Sequence, residues 1–192
     1  LQAKLLQHRP QVVLDFTLPD CVFANACTIL AAGSRPVIGT SGLSLEQVAE
    51  LQSLAAAHEV GGLIVPNFSI GAILMMQFSQ QAAKLMSEVR IVELHHEHKV
   101  DKPSGTAKKT AELIAAARPE AGLVASEVPV DSVRLPGLFA HQAVVFEGLG
   151  ETLTIKHDAY DRQSMMAGVV LACRHVLGLQ ELVYGHHTMV AS

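Results

Sequence analysis

Apolar positions are arranged in two ways along the chain, and the change between them divides it. Through the first third, unbroken apolar runs recur about every 25 residues: Val12-Val13-Leu14, Val37-Ile38 and Leu63-Ile64-Val65. Each gives way at once to small or polar residues: Asp15-Phe16-Thr17, Gly39-Thr40-Ser41-Gly42 and Pro66-Asn67-Phe68-Ser69. Runs that are apolar throughout predict strands covered on both faces, and hence a parallel sheet. Helical stretches separate them, an Ala-rich one from Cys21 to Ala32 and a second from Leu45 to His58. The second opens on Ser44 with Gln47 three residues on, the pattern of a capping box. Leu1 to His8 reads as the tail of a helix. Ligands of such sheets sit beyond the carboxyl ends of the strands. Thr17, Gly39 to Gly42 and Asn67 are therefore expected to line a crevice where backbone can approach a cofactor.

Ile70 to Val89 reads as one long helix, with Ile73, Leu74, Met76 and Phe78 apolar and the Met75-Met76 pair as core filler. Beyond it, strand patterns cluster at Arg90 to His96, Val130 to Leu135, Gln142 to Glu147 and Thr152 to His157, with one helix, Ala107 to Ala117, among them. The last three strands are expected to be antiparallel neighbours. In the final one Leu153 and Ile155 alternate with Thr152, Thr154 and Lys156, which gives it a polar face. A helix from Ser164 to Leu177, stopped by Gly178, has an apolar centre (Ala167 to Ala172) that predicts burial on all sides. The pattern as a whole predicts an α/β chain: a partial Rossmann-like parallel sheet, an inserted α+β layer with a mixed sheet, and a helix that returns to the first part. The boundaries fall at residues 1–68 with 158–192 for the first part and 69–157 for the insert.

Composition narrows the function. Of 192 residues only 17% are charged, and mean hydropathy is +0.32, as in a compact, well-buried protein. Net charge is −4, Trp is absent and aromatic residues make up 4%, so nucleic-acid binding lacks both a basic footprint and a stacking platform. Cys21, Cys27 and Cys173 read as buried thiols in a reducing compartment. No apolar run is long enough to span a bilayer, and a cytoplasmic location is expected.

The candidate chemistry lies in one run, Glu93-Leu-His-His-Glu-His-Lys-Val-Asp-Lys-Pro-Ser-Gly-Thr-Ala107. On a strand, Glu93 and His95 share one face and Leu94 and His96 the other. His98 and Lys99 then lie just past its end. Ser104 or Thr106 caps the helix that follows, which turns the N–H groups of Gly105 and Thr106 toward a carboxylate. Imidazoles, an ammonium and a helix N-terminus together suit the reduction or protonation of a small anion. Two other readings fit the spacing: a solvated His-rich loop with an ordinary cap, and a metal site. For the latter, His95, His96 and His98 offer imidazoles, yet no Cys or tight carboxylate cluster completes a ligand set.

This run closely resembles the signature of the 4-hydroxy-tetrahydrodipicolinate reductase (dihydrodipicolinate reductase) family. Val13-Leu14-Asp15-Phe16-Thr17, Gly39-Thr40-Ser41-Gly42 and Pro66-Asn67-Phe68-Ser69 resemble family turns, and Ser132-Val-Arg-Leu-Pro-Gly137, His141, Phe146, Gly150-Glu151 and His157 through Arg162 extend the likeness along nearly the whole chain. The chain departs from the pattern at Ser41, where Thr is common, at Lys102, where Ala is frequent, and at Met165, where an aromatic is often found.

The resemblance implies NADH- or NADPH-dependent reduction in lysine and diaminopimelate biosynthesis. His95 would be the proton donor and Lys99 its cationic partner. His96, Gly105 and Thr106 would bind a small cyclic dicarboxylate. Gly39, Thr40, Ser41, Val65, Pro66, Asn67, Phe68 and Arg162 would contact the cofactor. The first part would be the dinucleotide-binding domain, and the insert a substrate-binding and tetramerisation domain of a homotetramer; no metal is implied. The family's first strand and Gly-rich turn have no counterpart in these residues. The chain is therefore expected to turn over slowly, or to serve as a non-catalytic binding or assembly domain that keeps only the substrate layer.

Overall fold

The structure, a computed structural model, describes residues 1–119, 122 and 127–185. Eight strands and six α-helices follow one another along the described residues. They form two compact units, one from Leu1–Phe68 with Met165–Ser192 and the other from Ser69–Ser164.

In the first unit β1 (Val12–Asp15), β2 (Arg35–Ile38), β3 (Gly62–Ile64) and β8 (Leu182–Tyr184) form a wholly parallel sheet in that order. The unbroken apolar runs have the expected reason. Ile38 and Ile64 pack on one side with Val22, Leu30 and Leu51, while Val37 and Leu63 pack on the other with Phe68, Val169 and Ala172. Along β2 and β3 neither face meets water, so no polar alternation survives, whereas Leu14 of β1 is 40% exposed. The strand β8 follows too few residues of pattern to stand out in the sequence, yet it completes the sheet beside β3.

The helices of this unit are α1 (Gln2–His8), α2 (Pro19–Ala31), α3 (Leu45–Ala57) and α6 (Met166–His175). Pro19 opens α2, whose inward stripe is Val22, Ala26, Ile29 and Leu30. Gly33 ends it at φ 74°, with its N–H on the Leu30 carbonyl (2.9 Å) and that of Ser34 on Ile29 (3.1 Å). The capping box of α3 is present: Gln47 N–H donates to Ser44 Oγ (3.2 Å) and Ser44 N–H to Gln47 Oε1 (3.0 Å). The last helix differs from expectation. One-turn 3₁₀ segments, Arg162–Met165 and Val176–Gly178, flank a shorter α6. Only Gly168, Val169 and Ala172 of α6 are buried, and Met166 and Val170 are about half exposed. As an outer layer on the sheet, it buries one stripe. At Gly168 a Cβ would lie 1.8 Å from the Phe68 carbonyl oxygen, so only glycine permits this approach.

The second unit comprises α4 (Ile70–Ala82), β4 (Glu88–His95), α5 (Gly105–Ala117), β5 (Val130–Arg134), β6 (Ala140–Gly148) and β7 (Glu151–Ala159). Its mixed sheet has the order β5-β4-β6-β7. Helix α4 is shorter than the apolar pattern suggested. The chain turns after Ala82 (Leu85 N–H to the Ala82 carbonyl, 2.9 Å), and Glu88 and Val89 pair with Glu147 and Phe146. Ladder hydrogen bonds there outweigh continued helix. Strand β5 is also not an antiparallel neighbour of β6. It runs parallel to β4, which sits between the two and buries Ile91 and Glu93 completely. The antiparallel pairing of β6 with β7 is as expected.

Candidate active site

Strand β4 ends on His95, and its period of two puts Glu93 on the same face. His95 Nδ1 lies 2.5 Å from Glu93 Oε2. Across the parallel ladder Arg134 pairs with His95 in register, and its guanidinium grips the Glu93 carboxylate at both oxygens: Nη2 to Oε1 at 2.8 Å and Nη1 to Oε2 at 3.0 Å. The Ser104 N–H also donates to Oε1 (3.3 Å). Burial works against ionisation of Glu93, but the Arg134 and His95 hydrogen bonds outweigh it and hold its carboxyl below the usual range. Burial likewise pushes His95 below its ordinary value of 6.5. The Glu93 carboxylate pulls it back up, and the charges of Lys99 and Arg134 push it down again.

Past the strand, Lys99 N–H donates to the His96 carbonyl (3.1 Å). Lys99 Nζ pairs with Asp101 Oδ1 at 2.8 Å. That ammonium holds the Asp101 carboxyl low, with the Gly105 backbone N–H contributing. Arg134 ties this turn to the strand through the carbonyls of Lys99 (Nε, 3.3 Å) and Asp101 (Nη2, 2.6 Å). Of the two expected caps, Ser104 fills the role: its Oγ accepts the Ala107 N–H (3.2 Å), and α5 begins at Gly105. The structure therefore gathers His95, Lys99, Gly105 and Thr106 where a strand end meets a helix start. His96 follows directly, half-buried, its ring 6.3 Å from that of His98.

The cofactor candidates separate into groups. Gly39, Thr40, Ser41, Val65 and Pro66 line one cleft of about 150 Å³ at the carboxyl ends of β2 and β3, together with Gly42, Leu43, Ile64 and Tyr184. Its walls combine the small residues Gly39 to Gly42 with apolar side chains and Tyr184, and its volume suits one ring-sized group rather than a whole dinucleotide. Thr17 does not line it. Its N–H (3.0 Å) and hydroxyl (2.7 Å) both donate to Asp15 Oδ1, which also takes the Thr40 hydroxyl at 2.7 Å; Asn25 donates to Oδ2 at 3.0 Å. The Phe68 ring is core, edge-on to Phe16 at 5.3 Å, so only its backbone is available to a ligand. Asn67 continues the same strand end. Arg162 lies exposed in the second unit.

Sequence reasoning missed Arg134, Asp101 and Tyr184, and it placed Glu93 beside His95 without giving it a role. The signal for Arg134 lay in the Ser132 to Gly137 run, but only the β4–β5 register brings it to Glu93. A further polar cluster joins β6 and β7: His141 Nδ1 meets Asp158 Oδ1 (2.8 Å), and Lys156 meets Oδ2 (2.8 Å). His157 Nε2 lies 3.1 Å from Ser69 Oγ, where a Cβ at Gly71 would come within 2.5 Å of the ring.

Comparison with known proteins gives the family. Residues 2–68 match the family described as "Dihydrodipicolinate reductase, N-terminus" and residues 71–190 match "Dihydrodipicolinate reductase, C-terminus". The chain is 48% identical over 194 residues to 4-hydroxy-tetrahydrodipicolinate reductase of Coxiella burnetii, covering 95% of this chain and 81% of that protein. It is 49% identical over 199 residues to the same enzyme of Legionella pneumophila, covering 96% and 82%. The dipicolinate-bound dihydrodipicolinate reductase of Paenisporosarcina sp. TG-14 superposes with a TM-score of 0.87 at 40% identity, covering 99% of this chain and 77% of that one. An amine dehydrogenase of Mycobacterium smegmatis, at 12% identity and a TM-score of 0.61, shares the fold alone.

Fold, site and relatives define an oxidoreductase that works with a pyridine nucleotide. The chain belongs to the dihydrodipicolinate reductase (4-hydroxy-tetrahydrodipicolinate reductase) family.

Proposed function

We propose that this chain reduces 4-hydroxy-tetrahydrodipicolinate to tetrahydrodipicolinate, with loss of water, in lysine and diaminopimelate biosynthesis. The observation that carries the reading is the His95–Glu93–Arg134 arrangement beside Lys99 at the start of α5. A bound NADH or NADPH supplies hydride to the ring. The chain's own residues do the rest. His95 gives a proton to the ring as negative charge builds there, and Lys99 stabilises that charge. His96 with the N–H groups of Gly105 and Thr106 holds the carboxylates, since a helix N-terminus and an ammonium together favour an anion.

The cleft bounded by Gly39, Thr40, Ser41, Val65 and Pro66 fits the nicotinamide end of the cofactor, with Asn67 and the Phe68 backbone as further contacts; Arg162, in the second unit, is a separate candidate for holding the cofactor. In this reading the first unit binds dinucleotide, and the second binds substrate and carries the contacts of a homotetramer; the long, exposed strand β7 suits that second role. A cytoplasmic location follows from the pathway. Among the described residues no helix is long and apolar enough to cross a membrane.

Replacing His95 or Lys99 by Ala tests the assignment. Loss of a positioned acid costs about 10²- to 10⁴-fold in rate, with the fold intact by circular dichroism. Turnover at the unmodified rate in both variants would refute it.

A further inference from the structure

We infer that Glu93 and Arg134 are positioning residues of the reaction: Arg134 keeps Glu93 an acceptor at both oxygens, and Glu93 thereby fixes the His95 proton on Nδ1, leaving Nε2 as the atom that delivers a proton to substrate. The inference rests on His95 being the donor.

The hydrogen-bond partners force the assignment. Glu93 Oε1 accepts from Arg134 Nη2 (2.8 Å) and from the Ser104 N–H (3.3 Å). Oε2 accepts from Arg134 Nη1 (3.0 Å), and His95 Nδ1 lies 2.5 Å from the same oxygen. A guanidinium and a backbone amide only donate, and a two-pronged guanidinium on a buried carboxyl favours its ionised form, as does the Ser132 hydroxyl from β5. An ionised carboxylate only accepts, so Nδ1 must carry hydrogen. The alternative, a protonated Glu93 donating to a bare Nδ1, would leave the buried Arg134 guanidinium without its counter-charge. Burial enforces the choice: the side chain of Glu93 is 0% exposed and that of Arg134 5%, so no water shares the load.

The proton balance follows. When His95 is an imidazolium, both nitrogens carry hydrogen. Nε2–H passes its proton to the substrate, and the N–H bond electrons stay on Nε2. The product is a neutral imidazole with Nδ1–H still on Glu93. Glu93 remains a carboxylate throughout, and the imidazole regains its proton from solvent. The charged groups acting on His95 are Glu93 from β4, Arg134 from β5 and Lys99 from the turn after β4; the residue of β6 paired with it is Ala140. Glu93 favours the imidazolium and both cations oppose it. The two positioning residues therefore pull its titration in opposite directions.

The test is ¹⁵N NMR of the histidine rings in the 192-residue chain, wild type and variants, titrated with pH. Wild-type His95 is expected to carry hydrogen on Nδ1 and none on Nε2 at alkaline pH. In Glu93→Gln, which keeps the shape and removes the charge, the His95 midpoint should fall by about 1 pH unit or more. In Arg134→Gln it should rise, because the Glu93 charge is no longer offset. Arg134→Lys, which keeps the charge but loses the two-pronged grip, should leave the midpoint nearer wild type. A wild-type His95 with hydrogen on Nε2 at alkaline pH would overturn the inference, as would an unmoved midpoint in Glu93→Gln. If Arg134→Gln does not fold, the first two measurements still decide. Reductase activity of His95→Ala is read separately. Retained activity there removes His95 as donor, whereas a wrong tautomer with His95 still essential removes only the positioning role.

Discussion

Lys99 Nζ and Asp101 Oδ1 are 2.8 Å apart in the turn between β4 and α5, so the cation assigned to the substrate is already paired with a carboxylate of its own loop. The same Asp101 carboxylate is favoured by the Gly105 N–H. In the proposed reading Asp101 thus stands where a substrate carboxylate would stand, on the ammonium and at the helix start. Its side chain is 49% exposed and that of Lys99 23%, so water competes and the pair is weak enough to exchange.

Asp101→Asn should release Lys99 while keeping an acceptor for Gly105. A partly exposed ion pair is worth about 0.2–1 kcal/mol, so pyridine-2,6-dicarboxylate should bind about 1.5- to 5-fold more tightly by calorimetry. Unchanged or weaker binding would mean that Asp101 orients Lys99 instead of occupying its place.

Asp15 braces the first unit's cleft. It is 4% exposed and takes hydrogen bonds from Thr17, Thr40 and Asn25, linking the end of β1 to the turn after β2. Burial opposes its ionisation, but these bonds outweigh that and hold its carboxyl below 3.8. In Asp15→Asn an NH₂ must face donors. The expected loss is about 2 kcal/mol in urea denaturation, with faster amide exchange across residues 39–42. A loss under about 0.5 kcal/mol would show that the turn holds without the brace.

Stability should fall on acidification in two stages. His95 and His157 both sit below the ordinary imidazole value of 6.5, chiefly through burial. Their unfolded forms therefore take up protons first as pH drops below 6.5, and stability declines until the folded midpoints are passed. The carboxyls of Asp15, Glu93, Asp101 and Asp158 are held below 3.8 for Asp and 4.5 for Glu. Their contribution is whole above those values and is lost as pH falls through the folded midpoints. Melting temperature should thus be level above about pH 7, decline between about pH 7 and 5, and decline again below about pH 4.5. A level profile down to pH 5 would contradict the burial of the two imidazoles.

Much of this was legible in the sequence because the signals are local. A capping box needs only Ser44 and Gln47, and a parallel strand shows itself by apolar residues on both faces, as at Val37-Ile38. The strand–turn–helix from Glu93 to Ala107 likewise predicts that His95, Lys99 and a cap from Ser104 or Thr106 fall together. What escaped depends on partners distant in sequence. Arg134 looks like an ordinary basic residue of a strand until the parallel β4–β5 register sets it on Glu93. Glu88 and Val89 extend a helical pattern and are strand only because β6 lies alongside. The apolar centre of α6 predicted burial all round, because periodicity cannot tell a layer with one covered face from one with two.

Strand β8 carries a consequence for how the molecule is made. Leu182, Val183 and Tyr184 close the first sheet beside β3, and Tyr184 forms part of the cleft wall with Gly39 to Leu43. During synthesis on the ribosome, Ser69–Ser164 emerges as one continuous stretch and can complete its own sheet. The first unit must wait with β3 unpaired on one side until nearly the last of the described residues has left the exit tunnel. The cleft of the first unit is therefore finished after the His95 centre, in the reverse of their order along the chain.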